Sequence, residues 1–385
     1  MIYADFNGSA PICPEVKDYL IKRLEEGPFA NPNAIHYLGA KTLMGMEKAR
    51  KICGEILGAD KTQVIFNSGA TEGISTIFHS FLHPAQVKGR TKIIISGIEH
   101  SAIHNTANSY IERGFSVHIL KTHPNGIVDI EELESLIAHE AQNIAMVAVM
   151  AANNETGIIQ PFEEISTLCK KNNIKYFCDT TQYFGKIEFN FSESSLDYAV
   201  LSGHKIGALP GTGIMLAKDP NSIIPLIIGG GQENNLRGGT QNYIGNETLA
   251  VALTAFSEKK EKLETINSKR VEFENKIKEL HPEVVIIGQN SARLAGTTYI
   301  AYPGIHGQAV QIELESQNIF VTTSSACSDN APVTSRVLKS LGVSDEVGRA
   351  VVRITLSCCS PLENYDKILD ALDRSYNRLK KIQGY

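Results

Sequence analysis

Lys205 stands in the run Ser202-Gly203-His204-Lys205, directly after the apolar segment 198 to 201. A lysine amine that gives up its proton can form a Schiff base with a carbonyl, but only in a partly buried place near other cationic or desolvating groups. Taken alone, a lysine at a strand end is usually a solvated charge. Its neighbours argue otherwise: Ser202 and His204 are polar donors able to meet a phosphate, and the glycines at 207, 211 and 213 let the chain pass close to a bulky ligand. Ser68-Gly69-Ala70-Thr71-Glu72 follows another apolar run, 64 to 66, and opens a helix. Free N–H groups there, with the Ser and Thr hydroxyls, suit a phosphate; an ordinary capping box closed by Glu72 fits equally well. Asp179 ends the run 175 to 178, where a buried carboxylate needs a partner such as a protonated ring nitrogen, or simply caps the next helix. His100 lies just past the run 93 to 95 and can stack on a planar ring and move protons, although a lone histidine is more often structural. Cys327 occupies a small, polar loop without apolar periodicity, as an accessible thiol nucleophile requires. Arg353 is a charge inside an apolar strand, either on a solvent edge or clamping an anion such as a carboxylate.

The elements that must position these residues follow from periodicity. Strand-like runs at 64 to 66, 93 to 95, 117 to 120, 144 to 150, 176 to 178, 198 to 201 and 214 to 216 are mostly apolar throughout rather than alternating. That pattern predicts strands covered on both faces of a mostly parallel α/β sheet. Most of the candidate residues fall in loops after strands, where such sheets bind ligands. Val16, Leu20, Ile21 and Leu24 predict one face of a helix ending near Gly27. Residues 247 to 280 read as one long Glu- and Lys-rich helix. Strands near 284 to 288, 296 to 302 and 352 to 357, with helices at 306 to 317 and from 362, predict a smaller α+β unit. The expected division is a large unit at 15–256 and a small one formed by 1–14 and 257–385.

The 385 residues are 42% hydrophobic and 21% charged, with a net charge of −5. Well-mixed charges leave no footprint for nucleic acid. No apolar run is long enough for a membrane helix, and the start, Met1-Ile2-Tyr3-Ala4-Asp5, is not a secretion signal. The seven cysteines are odd in number and contain no C-x-x-C pair, so no metal site is expected; a reducing, cytoplasmic location is.

In this order and spacing the motifs resemble the cysteine desulfurase family of fold-type-I pyridoxal-phosphate (PLP) enzymes, the class V aminotransferase group. The resemblance runs from about Tyr3 to the last helix. Its most specific pieces are Ser202-Gly203-His204-Lys205, Asn153-Asn154-Glu155 with Gly157, Asp179 with Gln182, and Ser324-Ser325-Ala326-Cys327. It implies a large domain with a mostly parallel seven-stranded sheet and a smaller α+β domain. PLP is implied as a Schiff base on Lys205, with Asp179 on the ring nitrogen, Gln182 on the ring hydroxyl and His100 stacked on the ring. Thr71, Ser202 and His204, with Gly69 and Ala70 in the same loop, resemble phosphate ligands. Thr240 resembles one donated by a second subunit, which implies a homodimer. Asn154 and Arg353 would orient the substrate carboxylate, Asn31-Pro32 and His36 would lie near the entrance, and Cys327 would take the sulfur of L-cysteine, leaving alanine, and pass it to an acceptor protein.

The chain departs from the family at Asn7-Gly8-Ser9-Ala10-Pro11, at Gly73-Ile74-Ser75, after Lys205, at Gly238 and at Ser357-Cys358-Cys359. Two other readings remain at this point: a PLP lyase or aminotransferase acting on another amino acid, which would not need Cys327, and a non-catalytic partner protein that kept the fold.

Overall fold

The computed structural model describes residues 1–323 and 333–383; Cys327 and its loop lie outside the described residues. A seven-stranded sheet forms the centre, in the order Val64–Asn67, Gly213–Ala217, Tyr198–Ser202, Lys175–Asp179, Ile144–Ala148, Lys92–Ser96, Ser116–Leu120. Only Gly213–Ala217 runs antiparallel to its neighbours; the other pairings are parallel. Successive residues point to opposite faces. Ile94, Val147, Leu201 and Leu216 therefore enter one core, while Ile93, Ile95, Met146, Val200 and Met215 enter another. Burial on both faces is what the unbroken apolar runs predicted, at about 1.5–3 kcal/mol per large side chain removed from water, except at the edge strand Ser116–Leu120, where Ile119 is 52% exposed.

A third core gathers Ala4, Phe273, Ile277, Ile300, Val352, Ile354, Ile368 and Leu372. It lies against an antiparallel sheet of Val351–Thr355, Thr297–Ala301 and Val285–Ile286. The first residues join it, since Ile2–Tyr3 pairs in parallel with Ile319–Phe320.

Three expectations are corrected. The single helix at 247 to 280 is two helices, Tyr243–Ser257 and Lys262–Leu280, broken at 258–261. The first packs Leu249 and Leu253 into the large core and the second packs Phe273 and Ile277 into the third, so one straight rod would not serve both. On Pro14–Glu26, Ile21 and Leu24 stay exposed at 51% and 60%, while Val16 and Arg23 are buried. Arg23 enters because the Glu247 carboxylate receives its Nε at 2.8 Å. Finally, Asp179 caps no helix: turns follow it, and its Oδ1 accepts from Thr181 N at 2.9 Å.

Candidate functional site

At the carboxyl end of Val64–Asn67 the chain turns at Gly69, whose φ of 148° excludes ordinary side chains, and starts the helix Ala70–Phe81. The expected cap is present in modified form. Glu72 Oε2 accepts from Ser68 N at 3.0 Å, and the same carboxylate holds Arg237 through Nε and Nη2 at 2.8 and 3.0 Å. Ser202, at the end of Tyr198–Ser202, receives Ala70 N on its Oγ at 2.8 Å. Two strand ends are thereby locked around one helix N-terminus, where oriented N–H groups attract an anion. Thr71 is exposed at this helix start. Thr240 is exposed as well and lines a surface hollow with Asn67 and Ser68 of its own chain.

One turn, Gly203–Lys205, carries the chain from Ser202 to the lysine. Lys205 Nζ donates to Asn7 O and Gly8 O at 2.9 and 2.6 Å. His204 Nδ1 lies 3.2 Å from Ser9 Oγ, and burial, with Lys205 and Lys186 beside it, pushes its pKa down to about 4. Asp179 is 5% exposed on the neighbouring strand. His100 caps the helix Ser101–Ser109, its Nδ1 accepting from Ala102 N at 3.1 Å, which leaves the neutral ring's proton on Nε2. Burial lowers the His100 pKa; Asp179 opposes that shift and Lys205 reinforces it, so the three groups share one electrostatic neighbourhood.

Arg353 is 3% exposed. Its Nη2 donates to Asp5 Oδ1 at 2.6 Å and its Nη1 to Asn154 O at 2.9 Å, while the buried Nε has no partner among the described residues. Of the two sequence-level options the interior one holds. Asn153 fixes the Asn154 loop, its Oδ1 accepting from Glu155 N and Thr156 N, both at 2.9 Å. His36 caps the helix Tyr37–Leu57 by accepting from Gly39 N at 3.2 Å. Cys327 lies outside the described residues.

Several site residues escaped the sequence analysis. Asn7 is buried and central: its carbonyl takes Lys205 and Gln182 Nε2, its Oδ1 takes Lys186, and its Nδ2 reaches Asn154 O and Thr297 Oγ1. Gln182, expected to address a ring hydroxyl, spends its amide N–H on Asn7 O at 2.9 Å, and its Oε1 accepts from Lys186. The Lys186 pKa is lowered well below the ordinary lysine value, first by burial, then by Lys205 and Arg353. Glu99, beside His100, is buried; Ser96 Oγ and Met150 N both donate to its Oε1, at 2.5 and 2.9 Å. Burial and, in smaller part, Asp179 raise its pKa to about 8, so it is mostly neutral at pH 7. The only sequence signal for Glu99 was its place next to a singled-out histidine. For Asn7 it was an unusual opening run.

These residues fit PLP. A helix N-terminus with Ser202 suits the phosphate. Asp179 is a buried carboxylate with one oxygen engaged by a backbone N–H and suits a protonated ring nitrogen. An amine held by two carbonyls suits the aldehyde carbon, and the orphaned Arg353 Nε marks a place for a further anion.

Comparison with known proteins agrees. The aminotransferase class-V family model matches residues 2–368. A cysteine desulfurase IscS from Dictyoglomus turgidum is 30% identical over 385 residues, covering 100% of this chain and 96% of that protein. A solved NifS-like protein superposes with a TM-score of 0.90 at 31% identity, covering 98% of this chain and 100% of its own. The structure of SspA in complex with cysteine gives a TM-score of 0.80 at 27% identity, over 93% of this chain and 99% of that one. By its fold, its rim of strand-end residues and its full-length relatives, the chain belongs to the class-V aminotransferases and, among them, to the PLP-dependent cysteine desulfurases.

Proposed function

We propose that the protein converts L-cysteine to L-alanine and places the released sulfur on Cys327 as a persulfide for an acceptor protein. The observation that carries this reading is the convergence of Lys205, Asp179 and His100 at one end of the sheet, with Arg353 buried nearby beside Asn154. A relative of known structure was solved with cysteine bound.

PLP, when bound, supplies an electron sink for the substrate carbanion. The helix N-terminus at Ala70 and Thr71, with Ser202 and His204, would hold its phosphate; burial keeps His204 neutral, and a phosphate dianion there would favour its protonation. Asp179 would keep a proton on the ring nitrogen, the second amide N–H of Gln182 would address the ring hydroxyl, and His100 would cover the ring. Arg353 exchanges Asp5 for the substrate carboxylate and Asn154 borders the same place. The Lys205 amine, positioned by the carbonyls of Asn7 and Gly8, removes the α-proton. The Cys327 thiolate then bonds to the substrate sulfur as the Cβ–S bond breaks, and the electron pair stays on the carbon that becomes the alanine methyl.

The same proposal includes a homodimer in which Thr240 completes the partner's phosphate site. Exposed Ile35, Tyr37, Leu38 and Met44, together with Ile228, support a second copy as their cover. Asn33 Nδ2 ties the first of these segments to Gln241 at 3.1 Å, next to Thr240. Residues 15–256 form the large unit and 1–14 with 257–385 the small one; the place of Ala4 in the third core supports assigning the first residues there. Among the described residues no helix is long and apolar enough to cross a membrane. We place the enzyme in the cytoplasm, supplying sulfur for iron–sulfur cluster assembly or tRNA thiolation.

The test is to give PLP-loaded protein L-cysteine and a thiol reductant and to quantify alanine, pyruvate and sulfide. Alanine with sulfide, lost in Cys327→Ala, is expected. Pyruvate with sulfide, unaffected by that change, would mean a lyase.

A further inference from the structure

Beyond Arg353, the strand Val351–Thr355 leads into a turn carrying two adjacent thiols, Cys358 and Cys359. Bonds from Cys359 N to Ser357 Oγ and from Ser357 N to Ser360 Oγ, both 3.1 Å, shape the turn. The two thiols share with Cys13 the lining of a cavity of about 250 Å³, whose wall also includes Lys205 and Lys186. Cys359 is exposed and Cys358 half-buried.

The surroundings of Cys359 favour the thiolate. The neighbouring Cys358 and Lys259, which Glu15 holds, both lower the Cys359 pKa. Burial and the Glu15 charge act against the thiolate but do not reverse the outcome; the Cys358 pKa is raised by Cys359 and by burial, with Lys259 acting the other way. Every other described thiol is raised instead. Cys53 and Cys169 are buried and pushed up to about 12, and Cys178 is buried and raised further. Cys13 is raised by burial and by Glu15. An exposed thiol beside a cation is the environment that makes cysteine a nucleophile.

We propose that Cys359 is a second sulfur-carrying site, which takes sulfane sulfur from a persulfide. The Cys359 thiolate attacks the outer sulfur of R–S–SH. An S–S bond forms to Cys359, the donor's S–S bond breaks, and its electron pair leaves with R–S⁻, which takes a proton from solvent. No net oxidation occurs. The origin of the sulfur rests on the desulfurase reading; the acceptor chemistry at Cys359 does not.

The experiment supplies the sulfur ready-made. Full-length PLP-loaded Cys327→Ala protein is exposed to glutathione persulfide, trapped with iodoacetamide, and mapped peptide by peptide for added sulfur. Cys359 should acquire sulfur at least about tenfold faster than Cys53, Cys169 or Cys178, since thiolate fraction and access govern the rate. Lys259→Met should slow it several-fold, while Lys259→Arg, which keeps the cation, should restore it. Sulfur appearing on Cys359 no faster than on the buried thiols, or indifferent to Lys259→Met in a protein with an unchanged melting profile, would overturn the proposal. Because the donor is external, a failure to turn over L-cysteine would count against the desulfurase reading alone.

Discussion

The rim of the large sheet and the seam where residues 5–9 meet it hold their side chains by different means. On the rim, Asp179 and Ser202 sit at strand ends. Their places follow from where each strand stops and from the order of the strands. At the seam, the partners are remote in sequence: Arg353 meets Asp5, Asn7 meets Thr297, and Lys205 is held by Asn7 and Gly8. A rim residue is thus set by local pattern plus topology. A seam residue is set only when three separate cores have formed and docked. The difference teaches that the candidate phosphate cradle is a property of one sheet, whereas placing Lys205 and Arg353 is a property of the assembled molecule.

Substitutions can break this contrast, beginning with the largest expected effect. Lys205→Ala should lower alanine formation from L-cysteine by about a thousandfold or more with the circular dichroism spectrum unchanged, because both nucleophile and base are removed. Arg353→Lys should raise KM for L-cysteine by about 10–100-fold with a smaller effect on kcat, matching the loss of a charge-assisted pair worth about 1.5–3 kcal/mol. Asp5→Asn sharpens the same point: KM should fall several-fold, since the carboxylate competing for Arg353 is gone, while the melting temperature drops. An unchanged KM in both variants would remove Arg353 from substrate binding. Asn7→Ala cuts the bonds to Lys186, Asn154 and Thr297 and should cost about 1–3 kcal/mol in urea unfolding, with kcat reduced by about tenfold.

Glu99 tests the rim by pH. Its folded pKa is raised from 4.5 to about 8, so between those values the folded state holds a proton that the unfolded state has released. Its contribution to stability is therefore full below pH 4.5 and declines as pH rises towards 8. Glu99→Gln should flatten the fall in melting temperature between pH 5 and 8; an identical slope would place the proton elsewhere. The smallest effect is expected from Ser202→Ala, which removes the acceptor of Ala70 N and should weaken PLP binding several-fold, measured by titrating apoprotein.

Much of the rim was legible. The apolar runs at 93 to 95, 144 to 150 and 198 to 201 were read as doubly covered strands and are buried on both faces. The run 68 to 72 fits a phosphate cradle and a capping box equally well from the sequence; Gly69 and Ser202 flank one helix start, and Glu72 accepts from Ser68 N. The misses share a cause. Glu99, Lys186 and Asn7 are polar residues in loops or irregular chain, where no periodicity reveals burial, and each owes its character to groups distant in sequence. Ile21 and Leu24 misled for the converse reason: a helical stripe says that a face is apolar, not what covers it.

The sequence by itself determined the alternation of strands and helices, the strand ends at which chemistry could sit, and the residue types able to grip a phosphate, a ring nitrogen and a carbonyl. These follow from side-chain size, polarity and a repeat of two or 3.6 residues, all readable along a line. The tertiary structure decided that Arg353 faces inward against Asp5, that Asn7 holds the lysine, that Glu99 keeps its proton, and that Cys359 rather than Cys53, Cys169 or Cys178 is an exposed thiol whose neighbours lower its pKa. Charge state and pairing depend on desolvation and on neighbours within a few ångströms, and those neighbours come from parts of the chain that only folding brings together.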